Sequence, residues 1–211
     1  MTNKEKEKLF FNTIKQQSKK YSWKFKSYFT FKVIDDLYFV ANFYVIPGKN
    51  NIYGWLAFKP FALDDLFWEI IDAAENSRLP LSFRSEAAFQ VTAEPIFEFN
   101  ITVSDEAKPE NEIDQLLADI ENEVINSKTK YPSVQAFLSR QFESEGFQGV
   151  RMITSLLYLE NYGEAIKKII EFRDKGIDSE YGFGDKDFYD LAEKYCHSKT
   201  SKSFFGRYFK R

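Results

Sequence analysis

The sequence predicts an α+β fold: an antiparallel sheet of about five strands with helices packed on one face, followed by an α-helical C-terminal region. Three observations predict it. Between Trp23 and Pro60, apolar side chains alternate with polar ones, which is the period of a half-buried strand, and turn residues interrupt the run twice. From Leu63, and again from Ile113, apolar residues recur at the i, i+3, i+4, i+7 spacing of an amphipathic helix. The chain carries 23 Phe and 12 Tyr among 211 residues, and aromatic side chains favour the pleated surface of a sheet.

Taken in order, Thr2-Asn3-Lys4-Glu5 has the form of a capping box, in which hydroxyl and carboxylate satisfy free amides at a helix start. The helix it opens is expected from about Asn3 to Gln17, with Leu9, Phe10, Thr13 and Ile14 turned to the sheet. The first strand then reads as Trp23, Phe25, Phe29, Phe31 and Val33 on one face, against Lys24, Lys26, Tyr28, Thr30 and Lys32 on the other. Asp35-Asp36 makes a turn into Leu37–Ile46, and Pro47–Asn51 makes another into Ile52–Phe58. These three runs form an antiparallel meander.

A helix is expected next, with Leu63, Leu66, Phe67, Ile70, Ile71 and Ala74 on its apolar stripe and Asn76-Ser77-Arg78-Leu79-Pro80 at its end. Trp68 falls off the stripe and carries two readings, a seal at the edge of the core or a contact surface. Leu81–Val91 and Pro95–Val103 are expected to extend the sheet. Ser104–Asn111 is polar and contains Pro109, so a boundary is placed there: a sheet domain over 1–104 and a helical region over 105–211, with one continuous domain as the alternative.

Beyond the boundary, Ile113, Leu116, Leu117, Ile120 and Val124 stripe one helix. Pro132 opens another, with Val134, Phe137, Leu138 and Phe142 inside, since Pro is tolerated in a first turn. Gly146 and Gly149 break that helix, Val150–Leu159 and Glu164–Lys175 form a helical hairpin, and Lys186–His197 is the last helix.

Net charge is −3, too small to point to nucleic acid or an anionic membrane for the whole chain. The charge is segregated, however. Residues 1–32 hold nine lysines against Glu5 and Glu7, and residues 105–125 hold eight acids against Lys108. The two stretches read either as solvated neighbours in the fold or as a docking surface for a charged partner, with Glu112, Asp119 and Glu123 on the acidic helix as candidates. The single cysteine, Cys196, permits no intrachain disulfide and fits a reducing compartment. The N-terminus lacks the apolar core of a signal peptide, and no run approaches the roughly 18 apolar residues of a membrane span. A soluble cytoplasmic protein is expected.

Catalytic and cofactor motifs do not emerge. Cys196 and His197 are adjacent, so on a helix their side chains diverge by about 100° and cannot share a hydrogen bond. No His or Cys cluster has metal-ligand spacing, and no cofactor is expected. Asp185-Lys186-Asp187 departs from a calcium loop at Asp190 and Cys196, and Gly182-Phe183-Gly184 departs from a dinucleotide fingerprint at Asp187. Asp64, Asp65 and Glu69 share a helix and leave a carboxylate-dependent enzyme as an outlying reading. Leu156–Ile166 has the form of the corner in a tetratricopeptide-type hairpin, but no second copy follows at about 34 residues.

Two features could bind a ligand. Lys24, Lys26 and Lys32 with Tyr28 suit phosphates and stacked bases, although lysine on an exposed strand also discourages edge-to-edge aggregation. The tail Ser198–Arg211 carries five basic residues and no acid, interleaved with Phe204, Phe205, Tyr208 and Phe209, which suits an anionic surface.

The N-terminal helix, the aromatic meander, the Lys59-Pro60 to Leu63-Asp64-Asp65-Leu66-Phe67-Trp68-Glu69-Ile70 segment and the further sheet, from about Leu9 to Val103, resemble a bacterial family of unknown function. Some of its members lie beside toxin genes. The resemblance implies a packing pattern and no catalytic residues; with no site in the sequence, a well-patterned core and segregated charge, an immunity or inhibitor role is one form the protein-binding reading takes. A non-catalytic cytoplasmic module that binds another protein is therefore expected, with Lys24, Lys26, Tyr28, Lys32, Trp68, Glu112, Asp119 and Glu123 as candidate surface residues. Nucleic-acid or phosphate-ligand binding through the lysine face is the alternative, an enzyme is disfavoured, and a homodimer through an open sheet edge stays open.

Overall fold

The structure is a computed structural model. It describes residues 1–208 except 87–89, 106, 142–148, 180 and 184–185, and the side chains of 86, 140–141, 182–183 and 201–208 lie outside it too. The elements in chain order are α1 (Asn3–Ser18), β1 (Lys24–Lys26), β2 (Phe29–Ile34), β3 (Leu37–Ile46), β4 (Asn51–Pro60), α2 (Phe61–Ile70), α3 (Phe83–Glu86), β5 (Glu94–Thr102), α4 (Glu110–Lys130), α5 (Val134–Gln141), α6 (Gly149–Tyr158), α7 (Tyr162–Asp174), β6 (Gly182–Phe183), β7 (Lys186–Asp187) and α8 (Phe188–Tyr208). They form two compact units that alternate along the chain. The first takes residues 1–61 and 93–134, and the second takes 62–92 and 135–211. The polar stretch over 104–111 falls inside the first unit.

The first unit is a five-stranded antiparallel meander, β1-β2-β3-β4-β5, with α1 and α4 packed on one face, as the α+β reading expects. The capping box forms: Thr2 Oγ1 accepts from the Glu5 amide, and the Glu5 carboxylate accepts from the Thr2 amide. Register places Phe39 opposite Phe58, Ala41 opposite Leu56 and Phe43 opposite Gly54 on the helix-covered face. The stacked rings of Phe39 and Phe58, 5.4 Å apart, and the mutually tilted rings of Phe43 and Phe99, 5.3 Å apart, fill this layer.

The first expected strand is two. Ser27 adopts φ +54°, and the chain reverses over Ser27-Tyr28 into a tight hairpin that pairs Lys26 with Phe29. A reversal changes which parity faces the helices. Phe25 lies opposite Thr30, Thr30 opposite Ala41 and Lys32 opposite Phe39, all on the helix-covered face. Lys24 and Lys26 share the other face with Phe29 and Phe31. The continuous lysine face through Lys32 is thereby corrected. Lys32 Nζ instead binds both carboxylate oxygens of Glu121 on α4, 2.7 Å from Oε1, lies 4.7 Å from the Trp23 ring centre, and has a side chain only 10% exposed. Trp23 Nε1 donates to the same carboxylate at 3.0 Å.

The segregated charges are neighbours. Lys20 pairs with Asp114 at 3.0 Å and Lys128 with Asp35 at 2.6 Å. Exposed pairs of this kind stabilise little; the half-buried Glu121 cluster contributes more, because two buried donors depend on one carboxylate.

In the second unit α6, α7 and α8 pack on one another, with Ala165, Ile169 and Phe172 of α7 buried. Phe67 of α2 meets the rings of Tyr181 and Phe188 at 5.2 and 5.3 Å. The expected strand over Leu81–Val91 is not one: its described residues form turns and the short α3, while 87–89 lie outside the description. Arg84 explains the departure. Its guanidinium is buried 2.7 Å from Asp65 and 3.4 Å from Asp64, over the Trp68 ring at 5.0 Å, and the Val91 amide donates to Asp64 at 3.0 Å. The helix expected from Leu63 to Ala74 stops at Ile70, because Asp72 takes φ +60°. The last helix runs beyond His197 to Tyr208. Phe142 and Gly146 lie outside the described residues.

Two measurements follow. A Cβ on Gly54 would lie 1.8 Å from the Asn42 carbonyl oxygen and 2.8 Å from Phe99 Cζ, so Gly54→Ala is expected to cost about 3 kcal/mol by urea unfolding. Glu121→Ala strands the Lys32 and Trp23 donors and is expected to cost about 2 kcal/mol, whereas Glu121→Gln, which keeps an acceptor, costs less.

Candidate interaction surface

The sheet face opposite α1 and α4 is buried along Phe31, Tyr38, Val40 and Ala57, and one end of it carries a patch of exposed aromatic rings. Tyr44 on β3 pairs in register with Tyr53 on β4, and Trp55 follows Tyr53 by two residues on the same face. Tyr28 at the hairpin tip joins them. Ring centres are 5.2 Å apart for Tyr44–Tyr53, 5.3 Å for Tyr44–Trp55 and 6.4 Å for Tyr28–Tyr44. Tyr28 is 45% exposed, Tyr44 38%, and Tyr53 and Trp55 37% each. Ile46 on the same face is exposed as well. Stacking explains how the rings stabilise one another across strands. It does not explain why four of them face water together, since large contiguous apolar patches on a soluble surface mark contacts.

Register also defines the rim. Lys26, Phe29, Asn42, Trp55 and Glu98 form one row across five strands, so a lysine stands on one flank and a carboxylate on the other. The first unit as a whole carries equal numbers of acidic and basic residues.

Beside the patch, α1, the hairpin and the β3–β4 end enclose a groove of about 600 Å³. Glu7, Ser27, Tyr28, Tyr44 and Tyr53 supply its polar lining, with Phe11, Phe43 and Val45 between them.

Of the residues nominated from sequence, Tyr28 lies in this patch and Lys24 and Lys26 lie on the same sheet face, at its β1 edge. Lys32 lies on the opposite face, bound to Glu121. Trp68 is 1% exposed beneath Arg84, so it seals the core of the second unit and offers no contact surface. On α4, Glu112 accepts from the Ser104 hydroxyl and amide, which hold its carboxyl below the usual range. Asp119 accepts from Gln115 and Glu123 from Asn126. Tyr44, Tyr53 and Trp55 were missed, though their signal is in the sequence: they are the outward positions of β3 and β4 once the Pro47–Asn50 turn fixes the register.

The residues behind the enzyme reading have structural partners. Asp64 and Asp65 bind Arg84, and Glu69 accepts from Lys199 at 3.2 Å. Cys196 is buried, and its thiol is pushed up to about 11 by desolvation. Among the described residues, no three His, Cys, Asp or Glu side chains gather as a metal site would need. No described helix is long and apolar enough to cross a membrane. The side chains of the basic tail from 201 onward lie outside the described residues.

Comparison with family models, curated proteins and solved structures gives no match.

With a thiol so placed, Cys196 is expected to resist iodoacetamide at pH 8 in the native protein and to alkylate rapidly in denaturant, read by intact mass.

Proposed function

We propose that the protein works by binding another protein through the exposed aromatic face of its sheet. The observation that carries this is the contiguous cluster of Tyr28, Tyr44, Tyr53 and Trp55, held rigid by the sheet and by ring-to-ring contact. Tyr and Trp present large contact area at little conformational cost and dominate the centres of protein interfaces. A rigid strand platform adds no ordering penalty on association.

Charge supports a protein partner over nucleic acid. Binding to a phosphate backbone rests on a basic field, but the first unit is neutral overall, the rim carries both signs, and Lys32 is committed to Glu121. The acidic helix α4 is a weaker candidate surface, because Asp114 and Glu121 are paired with Lys20 and Lys32. A reducing, cytoplasmic setting is consistent with one buried thiol.

The test is reconstitution. A partner captured from the native extract under nuclease treatment is identified, purified and recombined with the protein. Oxidative footprinting should show protection of Tyr44, Tyr53 and Trp55. Tyr44→Ala and Trp55→Ala, both at exposed positions, should each weaken the complex by about 2 kcal/mol or more while circular dichroism stays unchanged. Protection confined to α4, or capture abolished by nuclease, would overturn the proposal.

A further inference from the structure

The groove beside the aromatic patch has a chemistry of its own. Its lining holds a single ionisable carboxylate, Glu7, among the rings of Tyr28, Tyr44 and Tyr53 and the apolar side chains of Phe11, Phe43 and Val45. The Glu7 carboxylate, the three phenol hydroxyls and the Ser27 hydroxyl make no hydrogen bond or ion pair with any described residue. Elsewhere on α1 the acid Glu5 closes the capping box and Lys6 donates to Asn50 at 2.6 Å. Unused acceptors and ring faces thus converge on one concavity that no lysine or arginine lines.

Resting on the proposed function above, we infer that this groove receives an arginine side chain of the partner protein. Three properties select it. A carboxylate beside tyrosine rings attracts a cation, both by direct pairing and through the negative faces of the rings. A guanidinium is planar, stacks on an aromatic face and pairs a carboxylate through two parallel N–H donors, leaving further donors for hydroxyl oxygens. A lysine ammonium is more strongly hydrated and cannot stack, and a quaternary ammonium has no donor to spend on Glu7 or the hydroxyls. The three-carbon stem of arginine suits Phe11, Phe43 and Val45, since such stems pack along apolar surface while the head stays polar. Arginine is also enriched at the centres of protein interfaces alongside Tyr and Trp.

The experiment uses the full chain and defined probes. Acetyl-Gly-Arg-Gly-amide is titrated at fixed ionic strength while the amide resonances are followed by NMR. Its citrulline counterpart, which keeps the shape and loses the charge, and tetramethylammonium serve as comparisons. The arginine peptide is expected to shift Ser27, Tyr28, Tyr44 and Tyr53 saturably, and the other two are expected to bind more weakly. Glu7→Gln is expected to weaken the arginine peptide about two- to fivefold, as is Tyr44→Ala. Asp119→Asn on α4 should leave it unchanged. Equal binding of the citrulline peptide, tighter binding of tetramethylammonium, or the absence of any saturable shift would overturn the arginine anchor. If the arginine peptide is silent while the reconstituted complex still protects Tyr44 and Trp55, the anchor falls and the protein-binding face stands. If protection is absent as well, both fall.

Discussion

One carboxylate organises the first unit. Glu121 takes the indole N–H of Trp23 and the ammonium of Lys32, and both donors are largely buried. A buried donor deprived of its acceptor costs its full desolvation, so the position of α4 over the sheet and the direction in which Lys32 points are fixed together. Lys32 can point to the helices only because the chain turns at Ser27. Had Trp23–Val33 been one strand, that lysine would stand with Lys24 and Lys26 on the face opposite the helices. The turn therefore does two things at once: it supplies the helix side with a cation for Glu121 and removes a charge from the surface that carries Tyr28, Tyr44, Tyr53 and Trp55.

The frame of this fold was legible because its signals are local. Alternation in β3 and β4, the Pro47–Asn50 turn, the capping box at Thr2 and the stripes of α2 and α4 each depend on residues within a few positions of one another. What stayed hidden depends on single backbone angles or on distant partners. Ser27 and Asp72 adopt positive φ without being glycine, so nothing in the pattern marks the hairpin or the early end of α2. Leu81–Val91 contains enough apolar residues to pass for a strand, and only the meeting of Arg84 with Asp64, Asp65 and Trp68 shows why it is not.

The candidate surface divides the same way. Tyr44, Tyr53 and Trp55 follow from register, which the turn sets, and were readable as the outward positions of two paired strands. Glu7 was not readable: it sits among alternating charges at the start of α1, and its place beside the tyrosines is a matter of where that helix lies on the sheet. The charge asymmetry between the ends of the first unit was plain, but its meaning was not. Lys20 and Lys32 of the basic stretch find partners in Asp114 and Glu121 of the acidic one, so part of what looked like two charged faces is spent inside the unit.

The order of the units along the chain has a consequence for how the molecule comes into being. The backbone passes from one unit to the other three times, at residues 61, 92 and 134. On the ribosome, β1 to β4 emerge first, but their last neighbour β5 ends only at Thr102, and Glu121 follows later still. Until then the nascent sheet has an unpaired edge at β4 and an apolar layer of Phe39, Phe43 and Phe58 that α1 covers without α4, while α2 has already been released without the helices that complete its own unit. Domains that are contiguous can fold one after another as they appear. Here the first unit is complete only at residue 134, after part of the second has already emerged, and no single cut in the chain separates the two units.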